Sequence, residues 1–337
     1  MLTFLLRRLA GLAIVLLTMS LIVFSLQSII PSDPARAVAG PMAPTATVEE
    51  KRHQLGLDQP ILVQYGRFLS RVVQGDLGTS VRTRQPVTAD VLKYLPASLE
   101  LGLVAMTLGV ALAAVLALLQ NTLPRSGVLR LLIVGAGSAP IFLSALLLTY
   151  FFWFRLGWLP GAGRLGERDF FGPTGFNLID GLLVGQPNVS LDALAHIILP
   201  AFALSLPIAV AVGRSLNGAL HDVMQQAYIR TGRGKGLSEA TIVLRHGLRN
   251  AASAPLAMIG LQVGLLFGNL LIVERVFAWP GLGLYTVQAL GSSDLPAVLG
   301  VSLVFGAIYI LVNVLVEVGQ TVADPRIGLF SSGAAAE

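Results

Sequence analysis

The chain has 337 residues, of which 54% are hydrophobic and only 12% charged, and its mean hydropathy is +0.76. A soluble domain of this length would carry roughly a quarter charged residues, so the composition is that of an integral membrane protein. Its net charge of +5 bears on orientation and anionic headgroups rather than nucleic acid, and the absence of cysteine excludes disulfides, thiol catalysis and Cys-ligated metals.

A bilayer core needs roughly 20 apolar residues per helix. Six stretches meet that length, at about 9–30, 97–120, 128–152, 194–213, 253–273 and 297–321. The first is preceded by Arg7 and Arg8 and followed by Ala35-Arg36-Ala37, which raises the question of a signal peptide. Its apolar run exceeds the usual length of about 7–15 residues, so an uncleaved anchor is expected.

Residues 31–96 form the first long connection. Asp58 and Pro60 look like a helix start, and Ile61, Leu62, Tyr65, Phe68, Leu69 and Val72 follow at helical spacing up to Gly75. This predicts an amphipathic helix over 58–74, followed by the turn-rich GDLGTSVRTRQPV. The helix could lie on the membrane or bundle surface, or dock an external partner through Arg67 and Arg71; the two roles are compatible. Beyond the second and third spans, which the tight 121–127 connection joins, comes a second long connection, 153–193, rich in Gly, Pro and aromatics and nearly neutral. Pro200 and Pro207 should kink the fourth span.

The segment 214–250 between spans four and five holds Arg214, Arg230, Arg233, Lys235, Arg245 and Arg249 against only Asp222 and Glu239. With Arg7 and Arg8 before the first span, and Arg125 and Arg130 around 121–127, it falls on one side of the membrane. The positive-inside rule therefore predicts cytoplasmic termini, with a tail over 322–337. The eight Lys or Arg of 31–96 are offset by six acids in a loop too long for the rule to weigh.

Within that segment stands AYIRTGRGKGLSE, residues 227–239. A Walker A loop would need Ser or Thr directly after Gly-Lys and a buried strand before it; here Gly236 follows, and no strand precedes. A nucleic-acid patch is equally unsuited to a membrane face without interleaved aromatics. The local signals instead predict two short helices and a corner. One helix, about 219–235, ends on cations that its macrodipole favours. Gly236 takes the left-handed position after it, and Leu237 supplies an apolar contact. Ser238 caps the next helix, with Glu239 in its first turn and Arg245 and Arg249 on one face. A basic stretch that only enforces topology is the plainer alternative.

This stretch and the RHGLRNA that follows resemble the EAA loop of permease subunits of ATP-binding-cassette importers, specifically the dipeptide/oligopeptide/nickel family. The resemblance extends over nearly the whole chain, through LLRRL, LGLDQPILVQYGRF, GDLGTSVRTRQPV, VFAWPGLG and DPRIG in one order. It implies an all-α membrane protein of six transmembrane helices with the type I importer permease fold. It also implies an extracytoplasmic helical segment and a location in the bacterial inner membrane. The loop would be a coupling helix seated in a groove of a cytoplasmic ATPase subunit, contacting it through Tyr228, Arg230, Thr231, Arg233, Lys235, Gly236, Leu237, Ser238 and Glu239. The implied partners are a second homologous permease, two ATPases that bind the ATP and Mg, and an external solute-binding protein. No cofactor belongs to this chain. Two departures stand out: Ala227 occupies a usually acidic position, and Gly232 and Gly234 replace alanines, which should loosen the helix by about 1 kcal/mol each.

In the fifth span Gly260, Gly264 and Gly268 recur every four residues, a face that lets helices approach closely in lipid. Gln262 and Asn269 project from roughly the opposite side, and uncharged polar groups there should meet protein or the solute path. Glu100 and Glu317 read as interfacial. The four histidines lack ligand spacing, so no metal site is expected, and neither GxSxG nor HExxH occurs. An ion-coupled secondary transporter or an intramembrane enzyme would need charged or catalytic groups in mid-span, which are missing. A permease driven by a separate ATPase is therefore expected, and the family resemblance implies short peptides as its cargo, with nickel chelates, glutathione or other small solutes as alternatives.

Overall fold

The computed structural model describes residues 11, 13–22, 24–25, 34–40, 42–122, 126–166 and 170–323. Arg7, Arg8, Arg125, DPRIG and the 322–337 tail beyond Ala323 lie outside them. The described chain is helical, and its only strand-like feature is a single bridge between Thr79 and Pro86.

Ala13–Ile22 forms an apolar helix α1, the described part of the first predicted span. Two helices that periodicity did not announce follow, α2 (Pro34–Ala39) and α3 (Thr45–Leu55). The amphipathic helix is present as α4, Ile61–Val73, but it starts later than expected. Asp58 does not cap it; its carboxylate bonds His53 Nδ1 of α3 at 3.1 Å, and Pro60 immediately precedes α4.

Among the described residues four helices are long and apolar enough to cross a bilayer. They are α5 (Val87–Thr122), α9 (Pro187–Met224), α13 (Ser253–Val276) and α15 (Leu295–Ala323). α5 begins ten residues before the apolar run, because the amphipathic VTADVLKYLP is already helical and Pro96 is absorbed inside it. The predicted third span is not one helix. Pro140 is extended, with ψ of 137°, and separates α6 (Gly127–Ser138) from α7 (Ile141–Leu148). A proline has no N–H for the helical ladder and drives the residue before it out of helical geometry. α7 then widens into a π-helical stretch, Thr149–Arg155. The second long connection is partly helical too, with α8 at Asn177–Leu183 and the first turns of α9 inside it.

The chain divides into two compact units. The first joins residues 1–96 to 280–310, including α14 (Leu282–Gly291). Its core is Val87, Val91, Leu282, Tyr285, Ala289, Ala297 and Val301. The second joins residues 97–279 to 311–337. There α9 packs along α13, around Leu101, Ile197, Leu204, Ile208, Leu266, Leu270, Phe277 and Trp279. The approach of α5 to α9 is close enough that a Cβ on Gly109 would lie 2.7 Å from Ile208 Cγ2.

Candidate functional site

The basic segment forms a corner, built differently at its start than its residues suggested. α9 stops at Met224, so there is no single helix over 219–235. Gln226 is extended at ψ 151°, and a separate helix α10 runs from Ala227 to Gly234. This re-aiming buries Ile229, which is 1% exposed. No Gly or Pro marks the break.

The end of α10 follows local chemistry. Gly236 sits at φ +78°. Its N–H donates to Arg233 O at 2.9 Å, and the N–H of Leu237 reaches back to Gly232 O at 3.2 Å, which satisfies carbonyls the helix would leave unpaired. Ser238 then starts α11 (Glu239–Thr241), its hydroxyl accepting from Thr241 N at 3.3 Å. A π-helical stretch, Ile242–Gly247, and α12 (Leu248–Ala251) complete the return toward α13. Ile242 is also 1% exposed, and Gly247 lies against Leu220 and Met224 at the end of α9. The Ile242–Gly247 stretch touches both α9 and α10, so it and the close contact of Gly247 hold the corner to its long helix.

Everything else at the tip faces outward. Tyr228, Arg230, Thr231, Arg233, Lys235, Gly236, Leu237, Ser238 and Glu239 are all exposed. Arg233 spans the corner to Glu239 through two bonds, Nε to Oε1 at 2.6 Å and Nη2 to Oε2 at 3.2 Å. The hydrogen bond from Arg233 holds the Glu239 carboxyl below its ordinary range, and the same bond raises Arg233. Because Glu239 is lowered, the pair's contribution is present above the unfolded carboxyl's pKa and is lost as pH falls through the lowered one. The surface is a rigid turn with cations and two exposed apolar side chains, Tyr228 and Leu237. Among the described residues no group of three or more His, Asp or Glu is placed to hold a metal.

The other candidates are distributed as follows. Gly260 of α13 lies under α15, where a Cβ would stand 3.0 Å from Asn313 Oδ1. Gly264 and Gly268 face outward from this chain, beside exposed Leu261 and Leu265. Gln262 is buried, while Asn269 is half-buried. Arg67 and Arg71 are exposed on α4, with the Arg67 guanidinium lying over Gly56.

Two polar clusters were not foreseen. In the first unit Asp294 is fully buried and accepts from Ser80 Oγ at 2.5 Å and from Arg82 N at 3.1 Å. It also accepts from Ala297 N at 3.3 Å, so it caps α15 as well. Asp90, nearby, accepts from Thr83 Oγ1 and from Tyr285 Oη. Together they fix the 80–85 turn and hold Arg82 and Arg84 exposed. Asp294→Ala removes a cap and orphans buried donors; about 2–3 kcal/mol of stability should disappear in a thermal melt. An unchanged melting temperature would mean that the turn does not depend on this carboxylate.

In the second unit Glu100, near the start of its apolar run, is buried inside the protein. It is 3% exposed and pairs with Arg164, itself 15% exposed. Glu100 also accepts from Leu178 N at 2.8 Å, while Arg164 donates to Gly175 O and lies 5.6 Å over the Trp279 ring. Glu274 is likewise buried and accepts from Ser98 Oγ at 2.6 Å. An acid inside an apolar run and one of three arginines in a nearly neutral loop were the available signals, but nothing local joined them.

The comparisons with known proteins agree with this architecture. Residues 106–329 match the family model of the binding-protein-dependent transport system inner membrane component, and residues 1–102 match the model of its N-terminal region. A probable D,D-dipeptide transport system permease protein of Escherichia coli K12 is 39% identical over 326 residues, 94% of this chain and 95% of that protein. A di/tripeptide transport system permease protein of Pseudomonas aeruginosa is 39% identical over 334 residues, 97% of this chain and 99% of the relative. A glutathione transport system permease protein of Salmonella typhimurium is 35% identical over 331 residues, again 97% and 99% of the two chains. Long apolar helices and end-to-end similarity to permeases lead to one assignment. The chain belongs to the binding-protein-dependent inner membrane components, as a multi-pass permease of the dipeptide-type ATP-binding-cassette importers.

Proposed function

We propose that this chain is one of two homologous permease subunits that carry short peptides inward, driven by two separate ATPases that bind the ATP and Mg. The observation that carries the proposal is the corner: an exposed, capped turn held to α9 through the Ile242–Gly247 stretch, suited to seating in another protein's groove. In this reading the chain makes six crossings and both termini are cytoplasmic, so the corner meets the ATPases. Segments 31–96 and 153–193 are then external. Arg67 and Arg71 on α4 offer a charged contact to a solute-binding protein that delivers the cargo. The exposed Gly264 and Gly268 suit close packing by the second permease, and Gln262 and Asn269 are the polar groups of α13 nearest in kind to a solute path. Closure of the ATPases on ATP would rock the corners and alternate access to that path.

Short peptides are favoured because a probable D,D-dipeptide permease and a di/tripeptide permease share 39% identity with the chain, and a dipeptide permease shares 35%. Glutathione is the second cargo reading, supported by relatives at 35%. Ser238→Cys would be the only thiol of the chain, since the native sequence has none. Paired with single cysteines along an ATPase groove, it should crosslink in an actively transporting complex. Absence of crosslinking at every groove position tried would reduce the basic segment to a topology signal.

A further inference from the structure

We propose that the π-helical end of α7 holds the phosphate of a membrane phospholipid between the Arg155 guanidinium and the Tyr150 hydroxyl. The widened turn is what places these two side chains together. In an α-helix, residues five apart point about 140° away from each other. The π turn, bonded between i and i+5, brings them to one side. Here the N–H of Leu156 reaches Phe151 O at 3.0 Å, five residues back. In the same register, one position earlier, Arg155 Nε donates to Tyr150 Oη at 3.0 Å. The guanidinium carbon lies 5.8 Å from the centre of the Tyr150 ring, and Phe154 stacks on that ring with centroids 5.7 Å apart.

A pair so arranged suits an anion. Tyr150 Oη accepts from Arg155 and keeps its own O–H to donate, while the guanidinium retains further N–H groups in a planar fork that matches phosphate oxygens. Among the described residues no carboxylate pairs with Arg155. The rest of the helix says whose phosphate it is. Ala145 is buried, and Leu148 and Phe152 pack on the core that α9 and α13 share, whereas Phe142, Leu143, Leu146 and Leu147 are exposed. Exposed Tyr150, Phe151 and Phe154 continue that outward face at helical spacing. Along one face the surface is thus pure hydrocarbon, then aromatic with a hydroxyl, then cationic, and the cation stands just past the end of the 128–152 apolar run. That is the order of a bilayer from its core to its headgroups. The inference rests on the membrane assignment and is independent of cargo and of orientation.

The test places a photocrosslinker beside the pair, as Phe154→p-benzoylphenylalanine, in the assembled complex reconstituted in vesicles of phosphatidylethanolamine and phosphatidylglycerol. Irradiation should give a phospholipid adduct, read by mass spectrometry. Adding Arg155→Gln should lower its yield about tenfold, the size of one lost charge-assisted hydrogen bond, and Arg155→Lys should restore part of it. The same crosslinker at Phe142 should capture lipid whatever stands at 155. An adduct at 154 that Arg155→Gln leaves unchanged would overturn the proposal. So would an adduct to another protein subunit, which would show that a protein covers this face. Suppression by excess inorganic phosphate, matching that of Arg155→Gln, would mean a site for the free anion and would overturn the lipid assignment too. Transport by the same complexes, measured in parallel, keeps a failure of this inference separate from a failure of the importer assignment.

Discussion

Gly236→Val should leave a complex that inserts and hydrolyses ATP but no longer transports in step with hydrolysis, whereas Gly236→Asn should keep most coupling. The contrast comes from the backbone alone. A Cβ on Gly236 would meet no heavy atom within 4 Å, so space does not forbid a side chain. What forbids it is φ of +78°. A left-handed residue costs about 1–2 kcal/mol for most side chains, more for a β-branched one, and least for Asn. A cost near 1.4 kcal/mol already shifts a conformational equilibrium about tenfold. With Val the chain would leave this turn, and the bonds from Gly236 and Leu237 to α10 would go with it. Ser238 and Glu239 would then point elsewhere, and Arg233 would lose its partner. The measurement is the ratio of peptide imported to ATP hydrolysed in vesicles. If Val and Asn variants both retain the native ratio, the corner's geometry does not transmit the stroke.

Glu100→Ala should destabilise the protein by about 3–5 kcal/mol, the largest effect expected of any single truncation here. The substitution leaves the Arg164 guanidinium buried with no countercharge. It also removes the acceptor of Leu178 N, an unpaired donor that adds about 1–3 kcal/mol if water cannot reach it. Arg164 anchors its loop from two sides, through Glu100 and through Gly175 O, with Trp279 beneath it and Ala97 O receiving the indole N–H at 3.0 Å. Glu100→Gln keeps an acceptor and should fall between the two. The double variant Glu100→Leu/Arg164→Met removes both charges and should recover most of the loss. Thermal unfolding in detergent ranks the four proteins. A Glu100→Ala melt equal to that of the native chain would mean the pair contributes nothing net.

The residues differ in how plainly they announced themselves. Membrane helices were legible because hydropathy is a property of a run, and α9, α13 and α15 stand close to where their apolar stretches lie. The corner was legible because Gly236, Ser238 and Glu239 act within one turn of their own positions. The break at Gln225 and Gln226 was not, since no residue there is a poor helix former by constitution. Pro140 was visible, yet the apolar character on both sides of it masked its effect on the third span. The buried carboxylates were the least legible. Glu100 and Arg164 are 64 residues apart, Ser80 and Asp294 214 apart, and no local pattern links such partners.

That last separation has a consequence for how the chain is made. At synthesis rates of about 5–20 residues per second, Ser80 leaves the ribosome roughly 10–40 s before Asp294 exists. Throughout that interval the 80–90 segment has neither its carboxylate partner nor the apolar cover of Leu282 and Tyr285. The first unit therefore closes only after residues 97–279, the larger part of the second, have been made. Arrival of the 280–310 stretch is the step that closes the first unit. A chain stalled before it would present a persistently open N-terminal region, a natural mark for the proteases that clear incomplete membrane proteins.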